Sequence, residues 1–317
     1  MSAHESGLVF ECHGDRLAGV VSMPHHDMQS LGVVIVVGGP QYRVGSHRQF
    51  VQLARAVAEA GYPAMRFDVR GMGDSEGDQR SFMHLDDDID AAIEALMQRV
   101  QSLRAVVLVG LCDGASASLL FADKHRADTR IAGLCLLNPW VRTEQTLAQT
   151  HVRHYYLQRL CQADFWRKLA RGQVGTRALT ELARSVLRSL APATQSQARD
   201  VGTFQHRMSR GWATFAAPIL LLLSEHDLTA REFVQAWRNA PEWRDAGRHA
   251  ATTWIDIAGA DHTLSSAQPR LLAERHIVEW LRSIGAVPAV STATALRANA
   301  QKAGGSTVVC DGLGVHR

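Results

Sequence analysis

The segment Gly110-Leu111-Cys112-Asp113-Gly114 constrains this chain more than any other. It lies directly between a continuous apolar run, Ala105 to Val109, and a stretch of small residues, Ala115 to Ser118, that opens a helical pattern. A turn of the form Gly-x-nucleophile-x-Gly needs both glycines, Gly110 and Gly114. The residue between them occupies a sharp, strained bend that leaves no room for a Cβ two positions away. The bend also places the Cys112 sulfur at a helix N-terminus, where the dipole favours a thiolate and lowers the thiol pKa. A carboxylate near the sulfur would do the opposite, so Asp113 is expected to turn away and cap the helix start.

The surrounding grammar fits such a turn. Leu8 to Cys12 and Arg16 to Met23, around His13-Gly14-Asp15, read as an antiparallel hairpin. Then apolar strands (Gly32 to Val37, Pro63 to Phe67, Ala105 to Val109, Ile131 to Leu137) alternate with helices (His47 to Ala60, Leu85 to Val100, Asp113 to Ala122). The alternation resumes with Ile219 to Leu223, Thr229 to Trp237, Thr252 to Ile257 and Pro269 to Ser283. Strand and helix in turn mean a doubly wound, mostly parallel α/β sheet covered on both faces. The expected organisation is a core over 1–140 and 213–284, a helical insertion over 141–212 and a loosely ordered tail over 285–317. The insertion would land over the carboxyl edge of the sheet, where such folds bind ligands, and is a lid candidate.

A nucleophile of this kind needs a base, and the base an orienting acid; in α/β-hydrolases, whose elbow this turn resembles, each sits on a loop after a strand in the chain order nucleophile, acid, histidine. Asp227 follows the strand ending at Leu223, and His262 follows the strand ending at Ile257. With 15 histidines in the chain, His262 is singled out by its loop, which opens with Gly259 and precedes the last helix. Glu225 and Asp261 stand close enough to be alternative acids. For an oxyanion hole, the Asp113 N–H follows the nucleophile. A second donor comes from Gly38-Gly39-Pro40-Gln41 after the Gly32 to Val37 strand. Pro40 has no N–H; Gly39 is the choice, with Gln41 as the alternative.

Val37-Gly38-Gly39-Pro40 resembles the H-G-G-P oxyanion loop of α/β-hydrolases with valine in place of histidine. Asp68-Val69-Arg70-Gly71-Met72-Gly73-Asp74-Ser75 looks like their D-x-R-G-x-G-x-S segment. With the elbow, Asp227 and His262, the resemblance covers about residues 8 to 283. It implies the α/β-hydrolase fold and a hydrolytic activity. Cysteine in the elbow departs from the usual serine and is similar to what dienelactone hydrolases use. Gly38-Gly39-Pro40-Gln41-Tyr42-Arg43 and Gly110-Leu111-Cys112-Asp113-Gly114-Ala115-Ser116-Ala117 look closer to hydrolases encoded beside exosortase A exopolysaccharide loci. That resemblance implies a setting in polysaccharide production.

Thiolates leave readily from tetrahedral adducts, so esters, thioesters and lactones are favoured over amides as substrates. The same triad would serve an acyltransferase with a saccharide acceptor, or persist in a non-catalytic binding protein. The segment 141–212 carries twelve Lys or Arg against four acids, a local excess of +8 in a chain of net charge +3. That excess would attract an anionic or carrier-bound acyl substrate, unless the arginines simply line solvated helix faces. The overall balance demands no nucleic-acid partner. Five cysteines without CxxC spacing argue against disulfides and zinc, so Cys12, Cys135, Cys161 and Cys310 read as inert thiols, and neither a metal nor another cofactor is expected. The first ten residues lack a signal-peptide pattern and no run approaches the ~20 residues of a membrane span, so a cytoplasmic protein is expected.

Overall fold

The computed structural model describes residues 3–38, 41–142, 195–249 and 251–285. Most of the expected insertion, the expected tail, Gly39, Cys161 and Cys310 lie outside the described residues. The strands are β1 (His4–Cys12), β2 (Asp15–Met23), β3 (Leu31–Val36), β4 (Ala64–Phe67), β5 (Ala105–Leu111), β6 (Ile131–Leu137), β7 (Ile219–Ser224) and β8 (Thr252–Ile257). They form one eight-stranded sheet in the order β1-β2-β4-β3-β5-β6-β7-β8. The β1–β2 and β2–β4 pairs are antiparallel, and the rest are parallel. The expected hairpin and doubly wound sheet are therefore both present.

The described helices are α1 (Gln49–Glu59), α2 (Asp86–Arg99), α3 (Asp113–Lys124), α4 (Gln195–Thr214), α5 (Leu228–Asn239) and α6 (Ala267–Gly285). Strands buried on both faces carry apolar residues at successive positions, and the two faces fill separate cores. Val33, Ile35, Val107 and Val109 meet α1 and α6 through Leu53, Val57, Ile277 and Leu281. Val34, Val36, Val106 and Leu108 meet α2, α3 and α4 through Ile89, Ile93, Leu119 and Met208. Asp86, Asp87 and Asp88 fill the first turn of α2, where its dipole favours negative charge. No described helix is long and apolar enough to cross a membrane.

Two boundaries differ from the sequence pattern in ways that matter for the site. β5 runs on to Leu111, which pairs in register with Leu137 of β6, so Gly110 is a strand residue and the turn is confined to Cys112. Within the segment read as an insertion, Phe204, Met208 and Trp212 of α4 are buried in the core beside α3. Their spacing of four makes one helical face, which the sequence displays but whose partner it does not reveal.

Candidate active site

Cys112 lies between the last residue of β5 and the first of α3 with φ 55° and ψ −117°, a strained conformation for a residue bearing a Cβ. Its N–H donates to the Leu137 carbonyl at 2.9 Å, and its carbonyl accepts from Ser116 N–H at 3.1 Å. The glycines leave no alternative packing. A Cβ on Gly110 would lie 2.3 Å from the Gly114 carbonyl carbon, and one on Gly114 would lie 2.2 Å from the Val36 carbonyl oxygen. Gly38, at the start of the loop after β3, touches the same spot, since its Cβ would meet Gly114 N at 2.1 Å. The loop after β3 is thereby pressed against the elbow.

The charge environment of the sulfur runs against expectation. The Asp113 side chain does not turn away: Cys112 Sγ donates to Asp113 Oδ1 at 3.8 Å, and α3 has no side-chain cap at Cys112. Burial pushes the thiol pKa well up, and the Asp113 carboxylate pushes it further, while the Asp113 N–H works in the lowering direction and loses. The expected helix-dipole thiolate is therefore outweighed, because desolvation of a full charge exceeds what a helix terminus returns. Burial likewise raises the Asp113 carboxyl, moderated by the thiol and by His262.

Asp227 and His262 come together from the loops after β7 and β8. His262 Nδ1 and Asp227 Oδ2 are 2.8 Å apart. Asp227 is also the N-cap of α5, accepting from Thr229 N–H at 3.0 Å and Ala230 N–H at 3.3 Å. A carboxylate that accepts from three N–H groups fixes the proton on Nδ1 and leaves the Nε2 lone pair free to act as a base. The two alternative acids are engaged elsewhere. Glu225 accepts from Gly259 N–H at 2.8 Å. Asp261 accepts from Thr263 N–H at 3.2 Å and Ser265 N–H at 2.9 Å, closing its own turn. The thiol hydrogen bond goes to Asp113 rather than to His262.

Asn138, which the sequence pattern did not mark, holds the loops together. It is buried, has φ 45°, and follows β6. Its Nδ2 donates to Ser224 Oγ at 2.9 Å and to the His262 carbonyl at 3.4 Å, and its Oδ1 accepts from Ser224 N–H at 2.8 Å. The available signal was an asparagine at the carboxyl end of a buried strand, a residue that tolerates the left-handed region.

Asp68 anchors the loop after β3. Its fully buried carboxylate accepts from Arg43 N–H at 2.6 Å and Asp74 N–H at 3.0 Å, and it pairs with the Arg43 guanidinium, which reaches Asp74 at 2.5 Å. This explains why the two motifs Gly38 to Arg43 and Asp68 to Ser75 occur together. Gln41, the alternative oxyanion donor, is half-buried, and its Oε1 accepts from Ser46 N–H at 3.4 Å.

Of the basic residues in 141–212, Arg142 pairs with Glu232, while Arg210 and Arg207 pair with Asp123 at 2.6 and 3.7 Å. These three brace the core, and the other nine have side chains outside the described residues. No cluster of three or more metal-ligating side chains occurs among the described residues. Cys12 and Cys135 are buried free thiols, as expected for inert cysteines.

Residues 29–265 match the family model described as serine aminopeptidase, S33. The chain is similar in structure to an esterase from Pyrococcus furiosus, with 13% identity, TM-score 0.59, and coverage of 89% of this chain and 93% of that one. It is similar also to Est1E from Butyrivibrio proteoclasticus, seen with ferulic acid bound, with 16% identity, TM-score 0.60, and coverage of 88% and 100%. An alpha-beta serine hydrolase homologue from Coxiella burnetii is a third, at 16% identity and TM-score 0.53, covering 86% and 97%. At such identities these likenesses establish the fold. No curated protein matches the sequence.

Proposed function

This chain belongs to the serine aminopeptidase S33 family of α/β-fold hydrolases, and from that premise we propose that it cleaves ester, thioester or lactone bonds with Cys112 as nucleophile, His262 as base and Asp227 as orienting acid. The observation that carries the reading is the 2.8 Å contact between His262 Nδ1 and Asp227 Oδ2 at the same sheet edge as the strained Cys112 elbow. Family proteins are described by a serine, and here a cysteine stands in the elbow. With a thiol held protonated by burial and by Asp113, attack requires His262 Nε2 to take the proton as sulfur bonds to the carbonyl carbon. The resulting oxyanion is held by the Asp113 and Gly39 N–H groups. Its collapse breaks the bond to the leaving alkoxide or thiolate, which receives the proton from His262. Water, deprotonated by His262, then attacks acyl-Cys112; sulfur leaves and recovers the proton, and the free acid departs.

The substrate is a small-molecule or carrier-bound acyl compound. The strings Gly38 to Arg43 and Gly110 to Ala117 extend the proposal to exopolysaccharide biosynthesis in the cytoplasm. Incubation with p-nitrophenyl and acyl thioesters should leave acyl mass on the peptide containing Cys112, and Cys112→Ala should abolish turnover. Ester cleavage that survives Cys112→Ala unchanged overturns the mechanism. Acyl groups recovered on an added saccharide in place of free acid would replace hydrolysis with acyl transfer.

A further inference from the structure

Resting on the acyl-Cys112 reading, we propose that the acyl group enters a cavity of about 240 Å³ beside the elbow, and that the substrate class is an acyl chain of about six to eight carbons. The cavity is lined by Val37 after β3, Val69 and Met72 after β4, Phe82 and Leu85 ahead of α2, and Asp113 of the elbow. Direction follows from proton transfer. The leaving group must collect a proton from His262, so it departs on the histidine side; neither His262 nor Asp227 lines this cavity, which makes it the candidate for the acyl group rather than the leaving group. Cys112 does not itself line the cavity, but Asp113, the next residue of the elbow, does; a larger hollow of about 540 Å³, lined by Leu223, Glu225, Arg231 and Asp256 among others, meets no residue of the elbow.

Size and wall chemistry set the class. At roughly 30 Å³ per water-sized group, the cavity holds about eight such groups. Val37, Val69, Met72, Phe82 and Leu85 supply apolar wall, so each methylene added up to that length should raise kcat/KM about fourfold through burial. Gln79, Arg80 and Ser81 form an exposed polar mouth, so a longer chain gains nothing further.

The test uses the full chain. Rates of Cys112 acylation by p-nitrophenyl acetate through dodecanoate, read by intact mass, should peak between hexanoate and octanoate. Met72→Trp should move the peak to butanoate or shorter and lower the octanoate-to-acetate ratio at least tenfold. A wild-type peak at dodecanoate, or an unchanged ratio in Met72→Trp, overturns the pocket while leaving the nucleophile intact. Should Met72→Trp fail to fold, Met72→Ala carries the same test, with the peak expected to move to decanoate. Calorimetric titration of Cys112→Ala with octanamide separates the two ideas. Binding at least tenfold tighter than acetamide supports the pocket even if Cys112 proves inert to every ester, an outcome that would sink the triad alone. Octanamide binding no tighter than acetamide sinks the pocket.

Discussion

At Cys112 the backbone and the side chains act in opposite directions on one proton. The helix terminus and the Asp113 N–H favour the thiolate, whereas burial and the Asp113 carboxylate favour the thiol, and the second pair wins. Removing that carboxylate removes one cause and leaves burial. Asp113→Asn is therefore expected to lower the thiol pKa, so iodoacetamide should label Cys112 about tenfold faster at pH 8, one pKa unit being a tenfold change in thiolate. The rising limb of activity against pH should move to lower pH in the same variant; an unchanged labelling rate would contradict the Cys112–Asp113 contact. Asp227→Asn keeps an oxygen for the Thr229 N–H, so the shorter of the two α5 cap bonds survives, but it puts a donor in place of the Oδ2 that accepts from Ala230 N–H and His262. We expect kcat to fall by about 10² to 10⁴ with little change in thermal midpoint. The sequence led to Cys112, Asp227 and His262 because turn glycines and chain order are written locally. It misjudged the Asp113 side chain, whose direction depends on what the loop after β3 leaves open.

Among the elements, the α3–α4 contact shows how a close helix approach is built. A Cβ on Gly211 of α4 would meet the Leu119 carbonyl of α3 at 2.2 Å, a backbone atom that cannot yield. Asp123 of α3 locks the approach by accepting from Arg210 Nε and Nη2, both at 2.6 Å. Gly211→Ala should therefore force the helices apart and cost about 1–3 kcal/mol, measured as a lower urea midpoint; a neutral effect would mean that α4 does not dock as described. Elsewhere the periodicity of α1, α2 and α6 and the apolar runs of β3 to β7 were legible, because burial on a sheet face dictates residue type directly. The role of α4 was not. Its Phe204, Met208 and Trp212 face reads alike whether it covers a substrate or packs on α3. Asn138 was missed for the same reason, since its partners Ser224 and His262 are 86 and 124 residues away.

For the whole molecule, stability against acid depends on carboxylates whose pKa the fold has lowered. Burial alone would raise Glu5 and Asp123, but hydrogen bonds from Arg55 and Arg66 to the first, and from Arg210 and Arg126 to the second, outweigh it. The hydrogen bond from Arg130 is the largest cause for Asp128. Acids with a folded pKa below the unfolded value contribute stability above the ordinary carboxyl range and lose it as pH falls through the folded value. Asp113 and Glu274, raised by burial, act in the opposite sense but are fewer. A urea midpoint lower at pH 3 than at pH 6 is expected, and equal midpoints would contradict it. The sequence by itself determined the doubly wound sheet, the elbow and the order of its three catalytic candidates, because strand burial, turn glycines and loop placement are properties of neighbouring residues. Only the tertiary structure decided that Asp227 rather than Glu225 or Asp261 faces His262, that Asp113 faces the thiol, and that a cavity is lined by Asp113 and not by His262. Those depend on the register of β7 against β8 and on how closely the loop after β3 is pressed against the elbow, distances that no local pattern encodes.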